Sequence, residues 1–221
     1  MSWYNQSLRH KLASHGIKTT IDKDKSKKSK INLKAGDKIL YGKSKDDIKE
    51  LKITSLLDEY QTLDELCADL DDRIQKFYDV LSNYYDIEST FYVSTTDRTD
   101  INPKGGMFDD EIVSILMPFY YTNFETLMHE FIHVLQAEKF KEKHSNDSYK
   151  KFNELYEDDK MNIENRTMEL TDEMREKWID LYDELGIERL QRNYYDIVND
   201  ITFVKKLDKL GHIHQKIDGD K

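Results

Sequence analysis

Residues 126–135 read Thr-Leu-Met-His-Glu-Phe-Ile-His-Val-Leu, and the fold turns on how that stretch is read. Leu127, Met128, Phe131, Ile132, Val134 and Leu135 surround two histidines and one glutamate, in a chain of which 35% is charged. A surface helix would not carry six apolar residues in that space, so the segment is expected to be a buried helix. Buried imidazole and carboxylate groups need partners. His129 and His133 stand at i and i+4, one turn apart on one helical face. Two imidazoles so placed can grip one metal ion from the same side. Glu130 projects about 100° round the helix, toward a water on that ion rather than toward the ion itself. Neutral imidazoles with an open position suit zinc. The ion would bring a bound water to a pKa of about 7, and Glu130 would take its proton.

The neighbouring elements follow from periodicity. Thr62-Leu-Asp-Glu65 is a capping box, and Leu63, Leu66, Leu70, Ile74, Phe77, Leu81 and Tyr84 recur at helical spacing, predicting a helix over 62–85. Residues 91–95 (FYVST) predict a short strand, 100–106 a turn, and 107–117 one or two strands ended by Pro118. A second box, Thr122-Asn-Phe-Glu125, predicts a helix over 123–142 capped by Thr122. Further helices are expected over 148–157, 163–185 (closed by Gly186) and 188–210 (closed by Gly211). Upstream, Trp3 to His15 fits a short amphipathic helix with Gly16 after it. The order is helix, a few strands, then helices. It predicts an α+β fold with a small sheet beside a mostly helical C-terminal half.

Composition bounds the rest. The 221 residues amount to one domain, or one domain plus an appendage, at roughly 150 residues per domain. With two prolines and eight glycines, a turn-rich β sandwich is disfavoured. The single cysteine, Cys67, excludes an intrachain disulfide framework and is expected to be a core or boundary residue. Neither an apolar leader nor a long apolar run is present, so the expected setting is cytoplasmic, with no membrane partner. Charge is uneven. Residues 1–45 hold twelve Lys/Arg and three Asp, a net of +9, which leaves −19 on the remainder. That pattern predicts a basic, partly flexible arm over 1–45 and a folded domain over 46–221. Residues 18–45 have the charge to meet nucleic acid, but their most basic part, 21–38, has no interleaved aromatics to stack on bases.

The stretch TLMHEFIHVLQ (126–136) resembles the active-site helix of the zincin metallopeptidases, closest to the gluzincin branch with its small phage-type and microbial members. GGMFDDEIVSILMP (105–118) loosely resembles the strand pair that precedes that helix in zincins. The resemblance implies that His129 and His133 bind Zn2+, that Glu130 is the general base, that a downstream helix gives a third ligand, and that the substrate is a peptide or protein. It also implies that an edge strand within 107–117 pairs with the extended substrate. The metzincin continuation HExxHxxGxxH is absent, since positions 136 and 139 are Gln and Lys. Glu130-x-x-His133 also matches the carboxylate element of di-iron bundles, but no second such element occurs.

Downstream donors for a third position are His144, Glu154, Glu157, Asp158, Asp159, Glu164 and Glu169. On the 163–185 helix, the stripe Ile163, Thr167, Leu170, Met174, Trp178, Leu181, Leu185 puts Glu164 at the edge of the buried face and Glu169 toward solvent. Asn162-Ile-Glu-Asn-Arg166 resembles the second zincin motif, departing from it at Asn165, where the family often has Ala. Glu164 is therefore the expected third ligand, with Glu157 and Asp158 as alternatives. Arg166 is a candidate to orient that carboxylate. Tyr149, Tyr156, Tyr194, Tyr195, His212 and His214 are candidate oxyanion donors, and His212-Ile-His214 is otherwise expected to be a frayed tail. Two functions compete. One is a zinc peptidase. The other is a non-catalytic protein on a zincin scaffold that holds nucleic acid or a partner through its basic arm.

Overall fold

A computed structural model describes residues 31–87, 90–96, 104–109, 112–143 and 148–219. The fold is α+β. The chain divides into two compact units: residues 31–68 with 192–219, and residues 69–191.

The first unit holds a three-stranded antiparallel sheet of β1 (Lys38–Tyr41), β2 (Lys49–Lys52) and β6 (Ile213–Ile217), in the order β2-β1-β6. Ile39 and Ile53 are fully buried with Ile197 and Val204 of helix α5 (Ile187–Lys209), and Leu33, Ala35, Tyr41 and Ile213 pack around them. Two expectations are corrected here. The arm drawn over 1–45 does not end at a domain boundary, because residues 31–45 belong to this folded unit. The charge run concealed Ile39 and Leu33, part of whose apolar cluster, Ile197 and Val204, comes from far along the sequence. His212-Ile-His214 is not a frayed tail either. Residues 213–217 pair with β1, and His214 Nε2 lies 3.2 Å from the Gly42 carbonyl.

Asp37, 2% exposed, ties the ends of this unit together. Its carboxylate accepts from the Lys34 and Gly219 backbone N–H groups at 2.7 and 3.1 Å and faces Lys216 Nζ at 3.0 Å. Burial pushes its carboxyl up, but those donors outweigh burial and hold it below the ordinary carboxylate value.

The second unit holds a mixed sheet, β3 (Thr90–Thr96), β5 (Ile112–Pro118) and β4 (Lys104–Asp109), in the order β3-β5-β4, with β3 parallel and β4 antiparallel to β5. The 107–117 stretch thus supplies two strands. Its apolar half, β5, is the central strand, so the edge position expected for substrate pairing falls to β4. Residues 104–106 of the expected turn are already in β4, while 100–103 lie outside the described residues.

The helices are α1 (Leu63–Tyr84), α2 (Phe124–Lys143), α3 (Ser148–Asp158) and α4 (Lys160–Glu184), each within a few residues of its predicted span. The proposed helix at 3–15 and the break at 144–147 lie outside the described residues. Thr62 caps α1 as expected, accepting from the Glu65 N–H at 3.2 Å, while Glu65 reaches back to the Gln61 N–H. The cap of α2 is corrected by one residue. Asn123 Oδ1 accepts from the Thr126 N–H at 2.9 Å, and the Thr122 hydroxyl instead donates to the Phe119 carbonyl. Both residue types cap well, and the 3-10 turn at Phe119–Tyr121 engages Thr122 first. Gly186 and Gly211 close α4 and α5 in the left-handed conformation, at φ +63° and +68°.

Leu70, Ile74, Phe77, Tyr78 and Leu81 of α1 form the core of this unit with Phe91, Val93, Ile115 and Met117 of the sheet and Leu127, Met128, Phe131 and Ile132 of α2. Tyr78, Phe91 and Phe131 stack on one another in a three-ring cluster, and the Tyr78 hydroxyl donates to the Leu127 carbonyl at 2.8 Å. The apolar face of α2 is thereby clamped, and its remaining face carries His129, His133 and Gln136.

Candidate metal centre

Helix α2 brings His129 and His133 side by side. Their rings are 4.6 Å apart, and their Nε2 atoms 3.0 Å. Glu164, on the second turn of α4, enters from the neighbouring helix. Its Oε2 lies 3.1 Å from His129 Nε2 and 3.6 Å from His133 Nε2. These three are the group among the described residues that could hold a metal. Their side chains are 28%, 20% and 29% exposed, so the donor atoms are held by the fold yet reachable from solvent.

The separations of 3.0, 3.1 and 3.6 Å are near, and on two sides slightly shorter than, those around a small tetrahedral cation. Donors about 2.0–2.2 Å from one such ion stand roughly 3.3–3.6 Å from each other. Two neutral Nε2 lone pairs 3.0 Å apart repel unless a proton or cation lies between them. Zinc, with its preference for nitrogen and carboxylate oxygen, suits the set.

Other groups orient the donors. Tyr156 of α3 donates its hydroxyl to Glu164 Oε1, leaving Oε2 to face the histidines. Burial raises the Glu164 carboxyl, but the Tyr156 bond and the two imidazoles outweigh it and hold the group below its ordinary value. Burial, the Tyr156–Glu164 bond and nearby carboxylate charge push the Tyr156 phenol up. Behind the other donor, Gln136 Oε1 lies 3.2 Å from His133 Nδ1, and Gln136 Nε2 donates to Thr167 Oγ1 at 3.0 Å. Burial, then the charge of His129, hold His133 below the ordinary histidine value. Glu130, half-buried, is raised to about 7, first by burial and then by the charge of Glu164.

Of the expected residues, His129, His133 and Glu164 meet, with Glu130 beside them on α2. Glu154, Glu157, Asp158 and Asp159 are exposed and outside the triad, and the His144 side chain lies outside the described residues. Glu169 faces solvent as its helical angle predicts. Arg166 does not orient Glu164; its guanidinium pairs with Glu169 at 2.8 Å and Glu173 at 3.6 Å. Among the oxyanion candidates, Tyr156 reaches the site. Tyr194, Tyr195, His212 and His214 belong to the other unit, and the Tyr149 side chain lies outside the described residues. Gln136 and Thr167 were missed. The available signal was Gln136 at i+3 from His133, on the face the histidines share.

No helix among the described residues is long and apolar enough to cross a membrane. No family model, no curated protein and no solved structure matches the chain.

Proposed function

We propose that the chain is a zinc-dependent peptidase of the zincin type, with His129, His133 and Glu164 holding the metal and Glu130 as general base. The observation that carries this reading is the meeting of Glu164 with the histidine pair, its carboxylate oxygen 3.1 and 3.6 Å from their Nε2 atoms, from a separate helix. The succession of a small sheet, a buried HExxH helix and a following helix with a third donor supports it.

Zinc bound there supplies Lewis acidity toward a carbonyl oxygen and makes a coordinated water acidic near neutral pH. Glu130, one residue beyond His129, takes the proton of the attacking water. The water oxygen bonds to the scissile carbonyl carbon, the carbon–nitrogen bond breaks, and Glu130 passes the proton to the leaving amine. Tyr156 keeps one Glu164 oxygen occupied, so that the carboxylate presents the other to the metal. The substrate class is a peptide or protein.

The test is metal analysis with peptide-library cleavage on wild type and Glu130→Gln. Wild type purified without chelator is expected to carry one zinc per chain and to cleave. Glu130→Gln should keep the zinc and lose at least about 100-fold in rate. Wild type without zinc would sink the reading. A binding protein on the same scaffold would instead tolerate Glu130→Gln silently, and its salt-sensitive binding would vanish on deletion of residues 1–45.

A further inference from the structure

The polar chain behind His133 has a direction. Thr167 of α4 is fully buried, and its hydroxyl lies 2.8 Å from the Ile163 carbonyl one turn earlier. A hydroxyl has one proton to give. Its other acceptor, Gln136 Oε1, is farther away at 3.3 Å, so the proton goes to Ile163. Oγ1 then offers lone pairs, and Gln136 Nε2 donates into them at 3.0 Å. That bond turns the amide so that Oε1 faces His133 Nδ1, 3.2 Å away. An amide oxygen can only accept, so Nδ1 carries the hydrogen and Nε2 keeps its lone pair. Nε2 is the atom that faces His129 and Glu164.

We propose that Gln136 and Thr167 are positioning residues that lock His133 in the metal-binding tautomer and tie the helix bearing the two histidines to the helix bearing Glu164. The inference rests on the metal-centre reading above. A reversed amide would present its NH2 group to Nδ1. Nδ1 would then accept, Nε2 would carry the hydrogen, and His133 could not ligate. Thr167 therefore acts on the metal through two hydrogen bonds without touching it. Neither residue carries charge, and an ordinary buried threonine would be indifferent to zinc.

The experiment compares wild type, Thr167→Val, Thr167→Ser, Gln136→Met and Gln136→Glu in the full chain. Valine keeps the shape of threonine without its hydroxyl, and serine keeps the hydroxyl. Methionine cannot hold the Nδ1 hydrogen as an amide oxygen does, whereas a carboxylate can. Zn2+ affinity is read by competition with a chromogenic chelator. The His133 tautomer in metal-free protein is read from imidazole 15N shifts, and unfolding midpoints verify folding. Thr167→Val and Gln136→Met are expected to bind zinc about 10- to 100-fold more weakly, with the two conservative variants near wild type. Metal-free wild type should show the Nδ1–H form, and Thr167→Val should lose it. Should Thr167→Val fail to fold, Gln136→Met on the partly exposed side of the relay carries the comparison. Equal zinc affinity in wild type and both disruptive variants, or an Nε2–H tautomer in wild type, overturns the inference while leaving the metal centre standing. Absence of zinc binding in wild type removes the metal-centre reading and this inference with it.

Discussion

At Glu164 one carboxylate serves three neighbours, with Tyr156 on one oxygen and both imidazoles on the other. Removing the phenol hydroxyl frees the first oxygen to rotate. Tyr156→Phe is therefore expected to keep one zinc per chain but weaken it by about tenfold, as loss of a ligand's supporting hydrogen bond does. Chelator competition measures this, and an unchanged affinity would show that Tyr156 has no hold on the ligand. Glu130 differs from Glu164 in kind. Burial acts on both carboxyls, but Glu164 has a hydroxyl and two imidazoles to favour its charge, whereas at Glu130 the charge of Glu164 adds to burial. HExxH spacing in the sequence separates the two roles, whereas the depth that sets their proton affinities does not show there.

At the scale of the element, α2 carries the histidine pair. Its apolar residues bury against α1 and the mixed sheet, and Asn123 Oδ1 satisfies one of the free N–H groups at its start, that of Thr126. Asn123→Ala should cost about 1 kcal/mol, read as a lower urea midpoint. Thr122→Ala tests the alternative cap, and a loss confined to that variant would contradict the assignment of Asn123. Periodicity located α1, α2, α4 and α5 because each buries one face. It was less exact on α4, where Thr167, Thr171, Trp178 and Tyr182 are the buried residues. Thr171 and Tyr182 fall outside the predicted stripe, since their hydroxyls donate to the Thr167 and Thr122 carbonyls and so tolerate burial.

At the scale of the molecule, the two units give separate predictions. In the first, Asp37 accepts from Lys34 and Gly219, which joins segments 182 residues apart. Its folded carboxyl lies below the unfolded value of about 3.9, so the unfolded chain binds the proton first as pH falls. Its contribution is complete above that value and is lost as pH drops from about 4 through the folded pKa. Urea midpoints measured down the acid range should therefore fall more steeply for wild type than for Asp37→Asn, and parallel curves would refute the claim. In the second unit, zinc at about 100 times its Kd should add about 2.7 kcal/mol to stability, reversed by chelator. Thermal scans with and without metal check this, and an unmoved midpoint would argue against a site assembled only in the folded state.

Local information alone determined the α2 helix, its histidine pair, the neighbouring glutamate and most helix spans, because each depends on residues within a turn or two. It also pointed to Glu164, through its angle on its own helix. Tertiary structure decided what depends on distant partners. Ile39 and Ile213 lie in short, charged surroundings and become strands through each other's sheet and the apolar face of α5. The Gln136–Thr167 relay and the grip of Tyr156 on Glu164 likewise exist because separate helices meet, and hydrogen bonds between helices leave no period in a sequence.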